Sequence, residues 1–343
     1  MAGTPANFSQ TIFNQIRNSA DAQYAARIPE ATRDNVAAYG QALSTYTPQY
    51  NQFLSALINR IGLTIMRGVS YVNPLGRFKR GMNPQGHDIQ EIFIEPIKAE
   101  SAYVAAGTNP LGRRANAGVS AAYHRMDRQD QYVVSVDRVA FMQCFTSWAR
   151  VDEFVAKLID AMYIGAQWDE YLCMRQLMTN AISATATGKV LPKAYLGTIS
   201  AKDESSGKAF VQGLKYLVQD LKYIRDDLNQ AGVLNRASAE DLVLFINKDL
   251  EPNIDVYALT GLFHIEEMAY PTRVFSIDTF GVNDVMGILA HKDWLQVYDT
   301  LVTTEPQRNA QGLFTNFFYH VWQTLSLSPY VPAIVLYGTT QPT

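Results

Sequence analysis

The chain is poor in cysteine and carries little excess charge of either sign. Only Cys144 and Cys173 occur among 343 residues, and they form no CxxC pair. Disulfide frameworks and structural zinc sites need several cysteines at short spacings, so the sequence predicts neither and agrees with a reducing compartment. The formal net charge of −3 excludes a general attraction to nucleic-acid phosphates, which requires clustered lysine and arginine. Any contact with DNA is therefore expected to be loose.

Targeting signals and long apolar runs are also absent from the sequence. Residues 1–23 lack a basic region followed by an apolar one, so no secretory signal is expected. The longest uncharged stretch with apolar character, residues 314–337, is interrupted by polar side chains and two prolines, which argues against a membrane span. We therefore expect a soluble chain made in the cytoplasm.

Residues suited to a large core are abundant. Hydrophobic residues make up 48% of the chain and charged residues 18%, and there are 16 Phe and 19 Tyr. A globular chain of this length buries about three quarters of its unfolded surface, so it needs neither a metal nor a disulfide for stability. The composition predicts one or two globular domains with an aromatic core.

Catalytic and metal-binding motifs do not rise above background. His264 and Glu267 could share a metal, but no third ligand is in view. Gly188 and Lys189 lack the upstream glycine and the following hydroxyl residue of a phosphate-binding loop. We therefore predict no catalytic residue, no metal and no cofactor, which leaves an enzyme as a weaker alternative.

The sequence of the first half of the chain predicts an arm followed by a hairpin. Residues 1–56 are polar and weakly periodic, with short helices possible at residues 8–16 and 49–61, and they indicate an extended arm. Residues 73–76 form a turn sequence. Strands are predicted at Ile89–Ile97 and Gln131–Phe141, and they could pair across a long loop, residues 100–130. Because an isolated two-stranded hairpin is marginal in water, a neighbouring subunit is expected to cover it.

The second half predicts a long helix, an α/β unit and then strands. Apolar residues at helical spacing run from Ser147 or Arg150 to about Ile182. The further predicted elements are a helix from Phe210 toward Gly232, a buried strand at Leu242–Ile246, a helix at Leu250–Leu259, and strands at 285–290, 295–299, 314–325 and 333–337. The order of these elements indicates an α+β fold.

A cluster of basic residues is the one group of charges in the sequence that is denser than its surroundings. It surrounds the pentapeptide NPLGR, which occurs at residues 73–77 and 109–113. Arginine binds carboxylates in a bidentate manner, so the cluster could pair with a neighbouring subunit. Interspersed acids equally allow a mixed solvated surface, and DNA contact is the third interpretation. The candidate interface residues are Arg77, Lys79, Arg80, Arg113, Arg114, Arg125 and Arg128.

The local sequence resembles that of a family of viral shell proteins. The run INRIGLTIMRGVSYVNPLGRFKRGMNPQGHDIQEIFIE, followed by AAGTNPLGRR, AAYHRMDRQDQYVVSV and AFMQCFTSWARVDEFV, is similar to major capsid proteins of small short-tailed bacteriophages. DLVLFINKDLEPNIDVYAL resembles the strand and helix of their A-domain. The resemblance implies the Hong Kong 97-type capsid fold. Its parts would be an N-terminal arm (1–56), a P-domain (57–75 and 131–187) with a spine helix at about 148–182, an E-loop hairpin (76–130), an A-domain (188–285) and C-terminal strands shared by the P-domain and A-domain (286–343).

The resemblance also implies a function made of subunit contacts. Copies would assemble as pentamers and hexamers into an icosahedral virion shell around double-stranded DNA, with the E-loop of one subunit lying over the next. A scaffolding protein and a portal protein are the implied partners, with decoration proteins as a further option and no membrane. The alternative is an encapsulin-like compartment, which shares this fold and encloses cargo enzymes.

Overall fold

The chain divides into two compact units. A computed structural model describes residues 8–45, 50, 52–53, 56–57, 72–83, 88–96, 118–183, 191–197, 204–250 and 273–338. Unit 1 comprises Met1–Asn73, Arg128–Tyr171 and Asp299–Trp322, and unit 2 comprises Pro74–Asp127, Leu172–Tyr298 and Gln323–Thr343. None of the helices in these described ranges is long and apolar enough to cross a membrane.

The N-terminal part of unit 1 is helical. The helices are α1 (Phe8–Ser19), α2 (Ala22–Arg27) and α3 (Val36–Thr45). The extended arm expected for residues 1–56 is therefore wrong for the described part. Ile12, Phe13 and Ile16 recur at helical spacing and are buried, so α1 gains its stability from packing one face on the core. The short helix considered possible at residues 8–16 is therefore present, and it continues to Ser19.

Aromatic rings fill the core that these helices cover. The Phe13 ring centroid lies 5.3 Å from that of Tyr39, 4.8 Å from that of Phe53 and 5.6 Å from that of Trp148. The indole nitrogen of Trp148 donates a hydrogen bond to the carbonyl oxygen of Thr32 at 3.0 Å, so its polar atom is satisfied. The N-terminal helices are thus an integral part of unit 1.

A long helical run follows in the middle of the chain. It consists of α4 (Arg138–Cys144), α5 (Trp148–Ile159), a π-helical turn (Asp160–Ile164) and α6 (Gly165–Ser183). The long helix predicted to end near Ile182 is confirmed. The π-helical turn within it is not part of the prediction, and such turns often lie at functional positions. The predicted strand Gln131–Phe141 is too long, because α4 begins at Arg138, and Cys144 therefore lies on a helix.

The strands of the described ranges form two sheets and one separate pair. They are β1 (Lys79–Met82), β2 (Ile89–Ile94), β3 (Val119–His124), β4 (Arg128–Asp137), β5 (Lys193–Tyr195), β6 (Leu242–Asn247), β7 (Val274–Ile277), β8 (Val285–His291), β9 (Leu295–Asn309), β10 (Phe314–Leu327) and β11 (Ala333–Tyr337). The sheet orders are β1-β9-β10-β4 and β5-β11-β8-β6-β7, while β2 pairs with β3. The predicted pairing of Ile89–Ile97 with Gln131–Phe141 is therefore wrong, since β4 pairs with β10.

The five-stranded sheet of unit 2 packs against helix α7 (Glu204–Leu221). Strand β6 is parallel to β7 and antiparallel to β8, and its apolar run is buried on both faces, as the sequence predicts for Leu242–Ile246. Helix α7 ends before the predicted stop at Gly232, because Arg225 and Asn235 instead exchange backbone hydrogen bonds at 3.0 and 2.9 Å. The helix predicted at Leu250–Leu259 lies outside the described residues, apart from Leu250.

Candidate subunit interface

The pair β2–β3 has two chemically different faces. Its antiparallel register joins Ile89 to His124 at one end and Ile94 to Val119 at the other. Side chains alternate along each strand, so every second residue shares a face. The inner face consists of Ile89, Glu91, Phe93, Ser120, Ala122 and His124. The outer face consists of Gln90, Ile92, Ile94, Val119, Ala121 and Tyr123.

The inner face contacts the rest of unit 2 through polar and aromatic side chains. One carboxylate oxygen of Glu91 accepts a hydrogen bond from the Ser328 hydroxyl at 2.7 Å, and the other lies 3.1 Å from the Nε2 atom of buried His124. The Phe93 ring stacks on Tyr330 with centroids 5.6 Å apart. A two-stranded pair alone would be marginal, so these contacts hold it in place. The expectation that only a neighbouring subunit stabilises the hairpin is therefore wrong for this face.

Glu91 makes the attachment of the hairpin sensitive to acid. Burial acts to raise the pKa of Glu91, but hydrogen bonds from His124 and Ser328 outweigh it and hold the pKa below the ordinary value of 4.5. A carboxyl group with a lowered pKa contributes stability above its ordinary pKa, and that contribution is lost as the pH falls through the lowered value. The charged form of Glu91 is the one that holds the inner face.

We expect acid to loosen β2 in the unassembled subunit. Amide protection factors of β2, corrected for the intrinsic pH dependence of exchange, should fall as the pH drops below the ordinary carboxyl pKa of 4.5 and through the lowered pKa of Glu91. The Glu91→Gln variant, which cannot ionise, should show weaker protection and a flatter pH profile. Identical profiles for the two proteins would show that Glu91 does not hold the hairpin.

The outer face exposes a continuous apolar surface. Ile92, Ile94, Val119 and Tyr123 are 57%, 64%, 65% and 59% exposed. A single exposed apolar residue is ordinary, but several on one face of a strand pair indicate a binding surface. In the sequence only Val119 and Tyr123 mark this face of β3, because the residues between them are small. With residues 100–130 interpreted as one loop, β3 is missing from the predicted strands.

Two predicted basic residues form ion pairs within unit 2. The Arg80 guanidinium lies 2.7 Å from a carboxylate oxygen of Asp293, and that of Arg125 lies 3.1 Å from Asp88. These partly exposed pairs stabilise the fold by about 0–1 kcal/mol at most, so they agree equally with a mixed solvated surface and with an interface.

The remaining predicted positions fall in different surroundings. Arg77 lies in the last turn of a 3₁₀ helix over Pro74–Phe78, and Lys79 begins β1 directly after that helix. Arg113 and Arg114 lie outside the described residues. The interface role of the cluster therefore remains a prediction. Among the described residues it applies to Arg77, Lys79, Arg80 and Arg125.

Arg128 lies inside unit 1. Its side chain is 3% exposed, and its Nε atom is 2.6 Å from a carboxylate oxygen of Asp130. Its Nη2 atom donates to the Tyr132 hydroxyl at 2.9 Å and to the Ala166 carbonyl oxygen at 3.3 Å. Tyr132 in turn donates to Asp169 at 2.8 Å. These contacts give Arg128 a role within its own unit that differs from the predicted pairing with another subunit.

The described residues offer surfaces for binding rather than groups for catalysis. Within the described ranges, no three His, Cys, Asp or Glu side chains lie close enough to hold a metal ion. Cys144 and Cys173 are half-buried and not joined in a disulfide. Burial raises the pKa of the Cys144 thiol, which disfavours the reactive thiolate. The possible ligands His264 and Glu267 lie outside the described residues.

Comparison with known proteins gives a family and a fold. The chain matches the Phi29-like phage major capsid protein family over residues 13–337. It is 32% identical to the major capsid protein of Bacillus phage B103, over 95% of this chain and 72% of that protein. It is 27% identical to the major capsid protein of Streptococcus phage Cp-1, over 92% of this chain and 91% of that protein.

Solved structures show the same fold at low sequence identity. A chain in the capsid structure of Staphylococcus phage Andhra aligns with a TM-score of 0.61 and 8% identity, over 79% of this chain and 86% of that chain. A chain in the structure of the head fiber and inner core protein of bacteriophage P68 aligns with a TM-score of 0.57 and 9% identity, with the same coverage of 79% and 86%. The predicted α+β fold of the Hong Kong 97 type is therefore confirmed.

The family match covers nearly the whole chain and concerns a structural protein, not an enzyme. The chain belongs to the Phi29-like phage major capsid protein family and is a structural component of the virion capsid.

Proposed function

We propose that this capsid protein assembles as pentamers and hexamers into an icosahedral shell that encloses a double-stranded DNA genome. The observation that carries the proposal is the apolar outer face of β2–β3, on which four large side chains are each more than half exposed. A neighbouring copy covers this face in the shell. Within the family fold, β2–β3 then belongs to the E-loop (76–130), and the helix Trp148–Ser183 is the spine of the P-domain.

Burial of the outer face supplies a modest attraction at each contact. Full burial of one Val or Ile side chain stabilises by about 1.5–3 kcal/mol, so the partly exposed side chains here contribute a few kcal/mol before the cost of ordering. In a ring of identical copies, each subunit places its hairpin on one neighbour and receives that of the other, so the same contact is repeated until the ring closes. Many modest contacts give a stable shell.

The partners of the shell follow from its function and charge. A scaffolding protein and a portal protein assist assembly in the host cytoplasm, and decoration proteins are optional additions. The net charge of −3 suits loose contact with packaged DNA, because a strongly cationic inner wall would bind phosphates and resist packing. The family match favours this shell over an encapsulin-like compartment for cargo enzymes.

Expression of the chain together with a scaffolding protein tests the proposal. Sedimentation and electron microscopy should show closed shells of uniform size when the chain is expressed together with the scaffolding protein of its phage. A chain that stays monomeric at high concentration under these conditions would exclude the proposal. Uniform cages that form without scaffold and recruit a tagged enzyme would favour the encapsulin-like alternative.

The basic cluster contributes to the proposed interface through Arg113 and Arg114. We expect Arg113→Glu combined with Arg114→Glu to leave the subunit folded and to reduce particle yield strongly, because both charges that would meet carboxylates are reversed. Circular dichroism reports folding, and sedimentation reports the yield. The control, Arg33→Glu with Arg236→Glu, makes the same change of net charge at exposed positions elsewhere. Equal yields from both double variants would argue against the cluster.

A further inference from the structure

A groove of about 430 Å³ lies on unit 1 beside helix α4. It is lined by Arg138, Val139, Met142, Gln143 and Leu313. The backbone nitrogen of Arg138 donates to the carbonyl oxygen of Leu313 at 3.0 Å, which fixes the loop between β9 and β10 against the start of α4. Val139 and Leu313 are 57% and 47% exposed, so the groove presents apolar surface to solvent.

Leu313 lowers the stability of the isolated subunit in two respects. Its φ of +56° lies in the left-handed region, which a leucine side chain rarely adopts and which glycine or asparagine would occupy with less strain. Its side chain also places apolar surface in water. The loop itself is well defined, because the Asn309 side chain accepts from the backbone nitrogens of Gln311 and Gly312 at 3.0 and 2.9 Å. Strain that persists in an ordered loop is commonly associated with a binding role.

We infer that this groove, the Leu313 groove, receives Ile94 and Val119 of the hairpin outer face from a second copy, with Glu95 of that copy facing Arg138. The inference rests on the proposed function, in which the outer face is covered by a neighbour. A head-to-tail contact between identical chains requires two different complementary surfaces on each copy. The outer face is one of them, and the Leu313 groove is the other.

Shape supports this assignment. Ile94 and Val119 lie opposite each other at the end of the strand pair, so their side chains project together from one spot. Among the four large side chains of the outer face, they are the two most exposed. A groove of about 430 Å³ has room for a pair of branched aliphatic side chains, which would contact Val139 and Leu313 along its apolar rim.

Charge supports it as well. Glu95 follows Ile94 directly and is held beside the pair, since its backbone nitrogen donates to the Gly118 carbonyl oxygen at 2.9 Å. On the groove side, the Arg138 guanidinium lies 5.1 Å from the Tyr50 ring centroid and donates to the Ser44 carbonyl oxygen at 3.1 Å. These contacts orient the cation and leave it half-buried. A carboxylate from another copy would therefore meet a positioned positive charge.

A second exposed apolar surface in unit 2 fits less well. It contains Tyr216, Tyr223 and Ile224, which are all more than 60% exposed. Asp220 and Asp227 lie beside it, both close to the Arg225 side chain. The carboxylate of Glu95 would there approach side chains of its own charge, which disfavours docking.

Cross-linking between copies tests the inference. In a background with Cys144→Ser and Cys173→Ser, subunits with Ile94→Cys are co-assembled with subunits carrying Leu313→Cys and then oxidised. We expect a disulfide-linked dimer of the two variants in shells, at least tenfold more abundant than in unassembled subunits. The comparison mixture pairs Ile94→Cys with Tyr216→Cys and should give little product. A disulfide forms only if the Cα atoms come within about 7 Å.

Shells that form but give no Ile94–Leu313 product, or give mainly the Ile94–Tyr216 product, would overturn the inference. Either result leaves the proposed function intact, because shells have formed. Failure of the proposed function would be seen separately, as a chain that stays monomeric at high concentration in the presence of the scaffolding protein.

The strained leucine provides an independent test. Leu313→Asn should leave the melting temperature of the subunit unchanged or raised, because asparagine tolerates the left-handed conformation and exposes no apolar surface. The same variant should raise the protein concentration needed for shell formation at least tenfold. Leu313→Met, which retains an apolar side chain, serves as the control and should assemble normally. Normal assembly of Leu313→Asn would contradict the inference.

Discussion

Ile94→Asp is expected to give a folded subunit that forms no shells. Ile94 is 64% exposed, so its replacement changes the free energy of unfolding by only about 0.5 kcal/mol or less. In the assembled contact the new carboxylate would be buried against apolar side chains, and a buried charge without a partner costs several kcal/mol. This cost recurs at every copy, so it exceeds the modest attraction of each contact. Circular dichroism, thermal melting and sedimentation together measure the two effects.

The control for this variant keeps the surface apolar. Ile94→Leu preserves volume and hydrophobicity and should assemble with a normal yield. If Ile94→Asp also assembled normally, the outer face would not be a subunit contact. If it failed to fold, the Ile92→Asp variant, at the next position of the same face, would repeat the measurement where the side chain is 57% exposed.

Phe13→Ala is expected to destabilise the subunit by about 3–5 kcal/mol. Phe13 is fully buried, and the rings of Tyr39, Phe53, Phe145 and Trp148 surround it. Truncation to alanine leaves a cavity that these large rings cannot fill without moving. The free energy of unfolding in urea gives the measurement.

The same experiment distinguishes a packed N-terminal segment from an extended arm. The exposed Gln15, on the same helix α1, supplies a control, since Gln15→Ala should change the free energy of unfolding by less than about 0.5 kcal/mol. An equally small change for Phe13→Ala would mean that α1 does not pack in the core of unit 1.

Elements with strong local periodicity could be predicted from the sequence. The helix Trp148–Ser183 and strands such as β6 and β10 show long, regular apolar patterns that need no knowledge of their partners. The N-terminal helices could be predicted only in part: the sequence allows a short helix at residues 8–16 but does not indicate that it packs in a core. They are short, and their stability comes from rings such as Phe145 and Trp148, more than a hundred residues away in the sequence.

Strand pairing and the environment of charged residues were harder to predict. The partner of β2 depends on distant chain geometry, and the small residues Ser120, Ala121 and Ala122 made β3 inconspicuous. Arg128 shows what was missed in the basic cluster. It shares one face of β4 with its partners Asp130 and Tyr132 at a period of two, a pattern that indicates an internal network. Counting charges alone cannot distinguish such a residue from an exposed one.

Electron cryomicroscopy of shells assembled from this chain and its scaffolding protein would locate the outer face of β2–β3 directly. We expect the side chains of Ile92, Ile94, Val119 and Tyr123 to lie within about 4.5 Å of apolar atoms from a different copy. A closed shell in which these four side chains remain in contact with solvent at every position would show that the outer face is not a subunit contact.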